Sequence, residues 1–540
     1  MKLRFSKNSK ITILIFFIFF TVYLFTSDAH RYTFDEDVNA QQSLWITTLT
    51  PHPDFVLGES KTYFNYPELF PPNSHVTRNF SVCTHELLCA STAIGHNFTQ
   101  VPFIWLNHTF EIFRDSNFWD NNDFEDLHYV WWRNSINPDF TFMELFYGPL
   151  FSALSVTVFY LILRTFNFNQ KNSILVTFLF GLSTIVWAYS QTSLNIVPQL
   201  LFVLLSYLFF RRFQKSKSTK NLILIGFSLG FAFLTRADAI LIIVVVSIFL
   251  FPFIKQSKLK LNYIWYLLPL SSFIFLFDYI EFVRKGGSLI ARVAEKSLMH
   301  FVKITSGVET QVLLGSGGTV APVLIYTPLE AFFGLLFSPG IGLFIFSPIL
   351  FLSFFTFPNF YKNHKKETLL FIGIISAFLL YYSLIMTNTW HGLVGWSARY
   401  MVLLIPFLLI PLAATLEKTK SRLFLSIVVI LGSIGVFFNL VWLIQDVSWF
   451  VWSTMGASTS GLYSLPSLQY AYRISPLVLW TFEFSQLTNA IFLAFAHLQL
   501  DIFLVKILTP IGYILTFVAL IGSLLFSLFR LLRNELRIST

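Results

Sequence analysis

The sequence predicts an all-α polytopic membrane protein of about 12 transmembrane helices, and three observations carry this prediction. First, 55% of the 540 residues are hydrophobic and the mean hydropathy is +0.65. Second, charged residues make up 12% of the chain, which is about half of what a soluble domain carries. Third, apolar runs recur that approach the roughly 20 residues a helix needs to cross the hydrocarbon core of a bilayer.

The apolar runs define the predicted helices. The first follows a basic N-terminus and has no small-x-small cleavage site, which favours an uncleaved first helix over a signal peptide. Several others are short or interrupted by proline, so their ends are approximate. The runs are 11–27, 144–163, 172–190, 194–210, 221–235, 238–254, 262–280, 332–357, 367–386, 400–416, 422–445 and 503–529.

The basic residues predict the orientation of these helices. Most of the 37 Lys and Arg fall on alternate short loops, such as 211–220, and at both chain ends. Short loops rich in Lys and Arg stay in the cytoplasm, so both termini are predicted to be cytoplasmic. The net charge of +9 is then an orientation signal, and no nucleic-acid partner is expected.

Three long extracytoplasmic loops follow from this topology, at 28–143, 281–331 and 446–502. In the second loop, residues 288–302 place apolar and basic side chains at helical spacing, as in an amphipathic helix that lies on the membrane. The third loop is rich in Trp and Tyr, which favour the membrane interface. Within it, 487–500 is predicted to form a partial or re-entrant helix.

The first loop is predicted to carry short helices, both cysteines and three glycosylation sequons. The sequons, at Asn79, Asn97 and Asn107, are compatible with an extracytoplasmic face. Cys83 and Cys89 are compatible with a disulfide and equally with two free thiols.

An acidic cluster at the start of the first loop is the main candidate for chemistry. Asp35, Glu36 and Asp37 occupy three consecutive positions just after the first apolar run. Helix capping also accounts for such acids, because a helix N-terminus favours negative charge.

Charged residues at other external helix ends are further candidates. Arg236 and Asp238 lie between two apolar runs with almost no loop, where a local ion pair explains them equally well. Arg399 lies near the end of the aromatic segment 390–400, on the side where basic residues are sparse, and its guanidinium suits bidentate binding of a phosphate. The segment 338–342 begins a helix with backbone N–H groups that suit an anion, although a plain helix start explains it as well.

Several catalytic signatures are absent from the sequence. It contains no Walker loop, dinucleotide-binding glycine pattern, HExxH, CxxC or GxSxG motif. ATP-driven transport and zinc proteolysis are therefore disfavoured.

In their order along the chain, these motifs resemble the GT-C superfamily of polyprenyl-phosphate-dependent glycosyltransferases. That superfamily includes the protein O-mannosyltransferases and the bacterial aminoarabinose transferase. Residues 34–36 are similar to its Asp-Glu motif, and 38–44 to the helix that follows the motif. Further similar segments, spread over most of 11–416, are 181–184, 187–190, 234–238, 337–343, 347–348 and 395–400.

The resemblance implies a GT-C-like catalytic module over 1–416 and a C-terminal transmembrane region over 417–540. It implies transfer of a sugar from a polyprenyl-phosphate donor, within a membrane of lipids, to a lipid, glycan or protein acceptor outside the cytoplasm. Asp35 is expected to act as general base with Glu36 in support. The other implied residues are Arg399, His391, Arg292 and Lys303 for the donor phosphate, and Asp37, Arg236, Asp238 and Tyr400 for support of the cavity.

One departure from the superfamily concerns the helix after 187–190. Relatives often place an acidic residue there, whereas this chain has Ser193, Leu194 and Asn195. If that acid binds acceptor or metal in relatives, its role here is missing or moved. The sequence therefore leaves open whether a divalent metal, Mg²⁺ or Mn²⁺, takes part, and it predicts no other cofactor.

Two other functions are compatible with a chain of this kind, a secondary transporter and a non-catalytic assembly subunit that keeps the fold. Transporters usually show repeated halves and polar residues inside the membrane. Here the two halves are unalike, and the polar residues cluster on one side of the membrane. The glycosyltransferase is therefore the favoured function.

Overall fold

The protein is described from a computed structural model, and its helices confirm the predicted all-α polytopic class. The residues that the structure describes are 7–29, 34–48, 80–82, 88–90, 93–111, 138–255, 262–285, 326–387, 390–392, 395–445, 476–496, 498 and 500–536.

The N-terminal part begins with one long apolar helix and continues with shorter elements of the first loop. The two strands pair antiparallel, with Ser81 opposite Cys89. Cys83, Asn79 and the acidic residues 120–126 lie outside the described residues. The elements are α1 (Lys7–Phe25), α2 (Phe34–Thr48), β1 (Phe80–Val82), β2 (Leu88–Ala90) and α3 (Ile94–Phe110).

The middle part is a succession of helices joined by short turns. The segment Ala237–Ala239 is a single 3₁₀ turn that separates two helices. The helices are α4 (Pro138–Thr165), α5 (Gln170–Leu182), α6 (Val186–Tyr189), α7 (Ile196–Ser216), α8 (Thr219–Thr235), α9 (Ile240–Lys255) and α10 (Asn262–Lys285).

The last part contains interrupted helices and the C-terminal span. A π-helical turn, Tyr381–Ile385, and two 3₁₀ turns, Pro348–Leu352 and Arg399–Leu404, extend or join them. The helices are α11 (Pro328–Phe337), α12 (Leu343–Phe346), α13 (Ser353–Tyr361), α14 (Lys365–Leu380), α15 (Ile405–Lys418), α16 (Arg422–Leu443), α17 (Pro476–Trp480), α18 (Gln486–Ala496), α19 (Phe503–Leu508) and α20 (Pro510–Leu536).

Eight helices among the described residues are long and apolar enough to cross a membrane. Four further apolar helices have 10–17 residues, and the predicted count of about 12 spans stays a prediction. The eight candidate spans are Asn8–Phe25, Phe140–Thr165, Ile196–Ser216, Tyr263–Ile280, Lys365–Ile385, Arg399–Lys418, Arg422–Leu443 and Pro510–Arg533.

Among the predicted runs, 172–190 and 332–357 are broken helices rather than continuous ones, as is 503–529 between α19 and α20. The first breaks after α5, where the Ile185 N–H donates to Ser347 Oγ at 3.1 Å. The second breaks between α11 and α12, where Pro339 lacks an N–H and cannot continue the helix. The first break is therefore joined by a hydrogen bond to Ser347, the residue that follows α12.

The backbone N–H groups at 338–342 are used by the protein itself. The Gly340 N–H donates to Leu479 O at 3.1 Å, and the Gly342 N–H donates to Ser338 O at 2.7 Å. Ser338 Oγ also donates to Leu479 O. This segment therefore anchors α17, and its two glycine amides are not available to an anion.

One continuous hydrophobic core joins most of the helices. Helices α7 and α15 lie inside the bundle, and α7 packs against α4 and α8. Helix α20 packs on α1 and is otherwise exposed, as expected for a span that faces lipid. The polar residues of interest lie where the described helices end.

Candidate functional site

The candidate site is organised around the segment 183–195, which links the broken helix α5 to α7. The Trp187 indole Nε1–H donates to Thr26 Oγ1 at 3.1 Å, just beyond the end of α1. The Gln191 amide donates to Thr26 O and, at 3.1 Å, to Leu443 O at the end of α16. The segment therefore ties together the ends of two helices, α1 and α16, that are distant in sequence.

Glu36, on the first turn of α2, is fixed to this segment. Its Oε1 accepts a hydrogen bond from the Ser193 backbone N–H at 2.9 Å, and the residue is fully buried. The segment 193–195 itself contains no acid, and the carboxylate that contacts it comes from α2. The side chains of Asp35 and Asp37 lie outside the described residues, although both residues belong to α2.

A buried polar cluster behind Glu36 joins α2 to α3. Ser43 Oγ donates to Gln100 Oε1 at 2.7 Å, and Gln100 Nε2 donates to Ser193 O at 3.3 Å. The Asn97 amide donates to Asn39 O at 2.8 Å. Helix α2 is thus held on two sides, by the backbone of Ser193 and by the polar face of α3.

Two of the three sequons belong to this buried part of α3. The side chains of Asn97 and Asn107 are fully buried. A glycan needs an exposed asparagine amide, so neither side chain is a glycosylation site in this fold.

His96 packs against the same backbone as Glu36. Its Nε2 lies 2.7 Å from the Ser193 carbonyl oxygen, so the neutral ring carries its proton on Nε2 and donates it there. Burial lowers the pKa of His96 to about 4, against the opposing effect of the Ser193 hydrogen bond. His96 is therefore neutral at pH 7.

We expect this histidine to make the protein less stable in acid. Between pH 6.5 and about 4 the unfolded chain binds a proton at His96 that the folded chain does not, so stability falls as the pH falls through this window. The loss approaches about 3 kcal/mol below pH 4. Thermal unfolding at pH 7.5 and at pH 5 measures it, and His96→Gln, which keeps an N–H donor without titrating, should lose less stability. An equal acid loss in both proteins would contradict this origin.

The pair Arg236 and Asp238 forms a buried network at the turn between α8 and α9. Arg236 Nε lies 2.8 Å from Asp238 Oδ2, and Gln199 Nε2 donates to Asp238 Oδ1 at 2.6 Å. The Tyr382 hydroxyl donates to Asp238 Oδ2 and accepts from Arg236 Nη2 at 2.8 Å. The local ion pair expected from the sequence is present, and it joins α7, the α8–α9 turn and the end of α14.

Arg399 lies next to this network through the ring of Tyr400. The Arg236 guanidinium lies 4.7 Å from the centre of that ring, and the Arg399 guanidinium lies 5.1 Å from it. Arg399 Nη2 also donates to the Tyr400 hydroxyl at 3.3 Å, and Tyr382 stacks on Tyr400 with ring centres 4.3 Å apart. Two guanidinium groups therefore flank one tyrosine.

The chain just before Arg399 lies close to its side chain. Gly392 has a φ of +70°, which favours glycine, and a Cβ there would lie 3.0 Å from Arg399 Cγ. His391 is buried, and its ring lies 5.6 Å from that of Tyr326. The loop thus holds the stem of Arg399, and the residue as a whole is half-buried.

Tyr189, at the end of α6, is the residue that the sequence analysis did not single out. A Cβ on Gly395 would lie 3.0 Å from its hydroxyl oxygen and 3.7 Å from Arg399 Cδ. Tyr189 is buried, so its hydroxyl lies inside the protein beside the Arg399 side chain. The only signal in the sequence was the position of Tyr189 within the GT-C-like segment 187–190.

The remaining predicted site residues, Arg292 and Lys303, lie outside the described residues, as does the predicted amphipathic helix 288–302. Within the described part of the chain, no three His, Cys, Asp or Glu side chains come together as metal ligands.

The fold and these residues define a multi-pass, all-helical membrane protein with a polar site where its helix ends converge. Residues 142–277 match the family model of dolichyl-phosphate-mannose-protein mannosyltransferases. This match confirms the GT-C-type resemblance and supports a mannosyltransferase-type glycosyltransferase with a lipid-linked donor. The matched segment includes Tyr189 and Arg236, but not Asp35 or Arg399. No curated protein matches the chain.

Proposed function

We propose that this protein transfers a sugar from a polyprenyl-phosphate donor to an acceptor hydroxyl on the extracytoplasmic face of the membrane. Asp35 acts as general base and Arg399 binds the donor phosphate, with His391 beside it. Arg236, Asp238 and Tyr400 support the wall that carries Arg399. Both termini are cytoplasmic in this proposal, and the catalytic module spans 1–416.

The observation that carries the proposal is the convergence of an acidic and a basic segment on α6 and the residues that follow it. The helix that bears Asp35 and Glu36 is fixed to Ser193 by a 2.9 Å hydrogen bond. The loop that bears Arg399 approaches Tyr189 at Gly395. Tyr189 lies four residues before Ser193 in the chain. A base for the acceptor and a cation for the leaving phosphate are the two groups that this reaction needs.

The chemistry follows from these two groups. The acceptor oxygen attacks the anomeric carbon while its proton passes to the Asp35 carboxylate. The bond between the anomeric carbon and the phosphate oxygen breaks, and its electron pair stays on the phosphate. Arg399 stabilises that charge, because a guanidinium donates two parallel hydrogen bonds to phosphate oxygens.

A transfer assay tests the proposal. The full-length protein is reconstituted in proteoliposomes with radiolabelled mannosyl polyprenyl phosphate and with lipid, glycan and peptide acceptors in separate reactions. We expect label to move to one acceptor class with release of polyprenyl phosphate, both with and without EDTA, since Arg399 supplies the cation. Uptake of a solute without any transfer of label would instead identify a transporter.

A further inference from the structure

We propose that the Tyr189 hydroxyl donates a hydrogen bond to a phosphate oxygen of the lipid-linked donor, beside Arg399. This inference rests on the proposed function and extends its donor site by one residue. It gives a binding role to a side chain that the sequence motifs left without one.

The first argument is the state of the hydroxyl. Tyr189 is 3% exposed, and its hydroxyl has no hydrogen-bond partner among the described residues. A buried hydroxyl without a partner loses its hydrogen bonds to water and gains none in return. Such a group is expected where a ligand completes the hydrogen bond.

The second argument is the position of the hydroxyl. A Cβ placed on Gly395 would lie 3.0 Å from the hydroxyl oxygen and 3.7 Å from Arg399 Cδ. The Tyr189 hydroxyl and the side chain of Arg399 therefore meet at the same glycine, so a phosphate bound by Arg399 lies close to this hydroxyl.

The third argument is charge. The guanidinium groups of Arg399 and Arg236 both flank the ring of Tyr400, and the side chain of Arg399 also lies beside the Tyr189 hydroxyl. An anionic acceptor is favoured in such surroundings, and an O–H donor makes a stronger hydrogen bond to an anion than to a neutral oxygen. A phosphate oxygen fits this position better than a sugar hydroxyl does.

Tyr207 supplies a matched control. Its hydroxyl is also buried and also lacks a hydrogen-bond partner among the described residues. However, its ring packs edge-on against Phe371 and Phe407, at 5.5 and 5.7 Å, inside the core rather than at the site. Tyr207→Phe removes the same atom from a place where no donor binds.

The experiment compares full-length wild type, Tyr189→Phe and Tyr207→Phe. Each is titrated with a polyprenyl monophosphate in mixed micelles and, separately, with inorganic phosphate, with the thermal midpoint as readout. Without ligand, we expect both variants to be at least as stable as wild type, because an unpartnered buried hydroxyl is removed. With ligand, we expect Tyr189→Phe to bind polyprenyl phosphate at least tenfold more weakly, while Tyr207→Phe binds like wild type.

The two phosphate sources separate the contributions of headgroup and chain. Dependence on Tyr189 for both probes supports recognition of the phosphate itself, and dependence for polyprenyl phosphate alone supports recognition that requires the lipid. Binding of polyprenyl phosphate to Tyr189→Phe within twofold of wild type would overturn the inference. So would an equal loss of binding in Tyr207→Phe.

The transfer assay on the same proteins distinguishes a failure of the inference from a failure of the proposed function. If wild type binds polyprenyl phosphate through Tyr189 but transfers no sugar, the inference stands and the proposed function fails. If wild type transfers sugar and Tyr189→Phe matches its KM for the donor, the function stands and the inference fails.

Discussion

Asparagine in place of Asp35 is expected to lower the rate of sugar transfer by about 10²–10⁴-fold, because the amide cannot accept the proton of the acceptor hydroxyl. The substitution is nearly isosteric, so we expect the thermal midpoint to stay close to that of wild type. Initial rates at saturating donor and acceptor, together with thermal unfolding of the same preparations, measure both quantities.

Glu36→Gln is the matched control for this prediction. Glu36 is fully buried and accepts the Ser193 N–H at 2.9 Å, and a glutamine Oε1 accepts the same hydrogen bond. We therefore expect Glu36→Gln to retain most of the activity. Glu36→Ala leaves that N–H unpaired and should cost about 1–3 kcal/mol of folding free energy. If Glu36→Gln instead abolished transfer while Asp35→Asn did not, the base would be Glu36.

The sequence was informative about the membrane segments because hydropathy is a local property. Each predicted apolar run overlaps a helix in the described part of the chain. The breaks within 172–190 and 332–357 were not predicted. Both runs contain few polar residues, so the hydropathy averaged over a window of this length stays high across the break. They depend on partners far along the chain, as in the hydrogen bond from Ile185 N–H to Ser347 Oγ.

In the candidate site, too, some features were predicted from the sequence and others were not. Two features are local patterns: the consecutive acids at 35–37 and the arginine among aromatic residues at 390–400. Both were identified as candidates from the sequence alone. The importance of Tyr189 comes from its position beside Gly395, which no local pattern indicates. The sequon at Asn97 shows the limit of a local pattern, since three residues define a sequon but the fold buries the amide against Asn39.

Arg399→Ala is expected to lower the rate of transfer by about 10²–10³-fold with little change in stability. Arg399 is half-buried and its guanidinium lies over the face of Tyr400, so its loss removes positive charge from the site. Arg399→Lys should recover only part of the rate, because an ammonium cannot donate two parallel hydrogen bonds to a phosphate. The donor KM and kcat, measured for both variants, test this.

Arg236→Ala distinguishes a phosphate-binding arginine from a structural one, since both guanidinium groups contact the same tyrosine ring. Arg236 is paired with the buried carboxylate of Asp238 at 2.8 Å, so its removal should destabilise the fold by about 3–5 kcal/mol. The double variant Arg236→Met with Asp238→Leu should regain much of that stability, because no buried charge is then left alone. We expect the Arg236 variant to lose both activity and stability. We expect the Arg399 variant to lose activity but to keep its stability. The reverse pattern would move the phosphate site to Arg236.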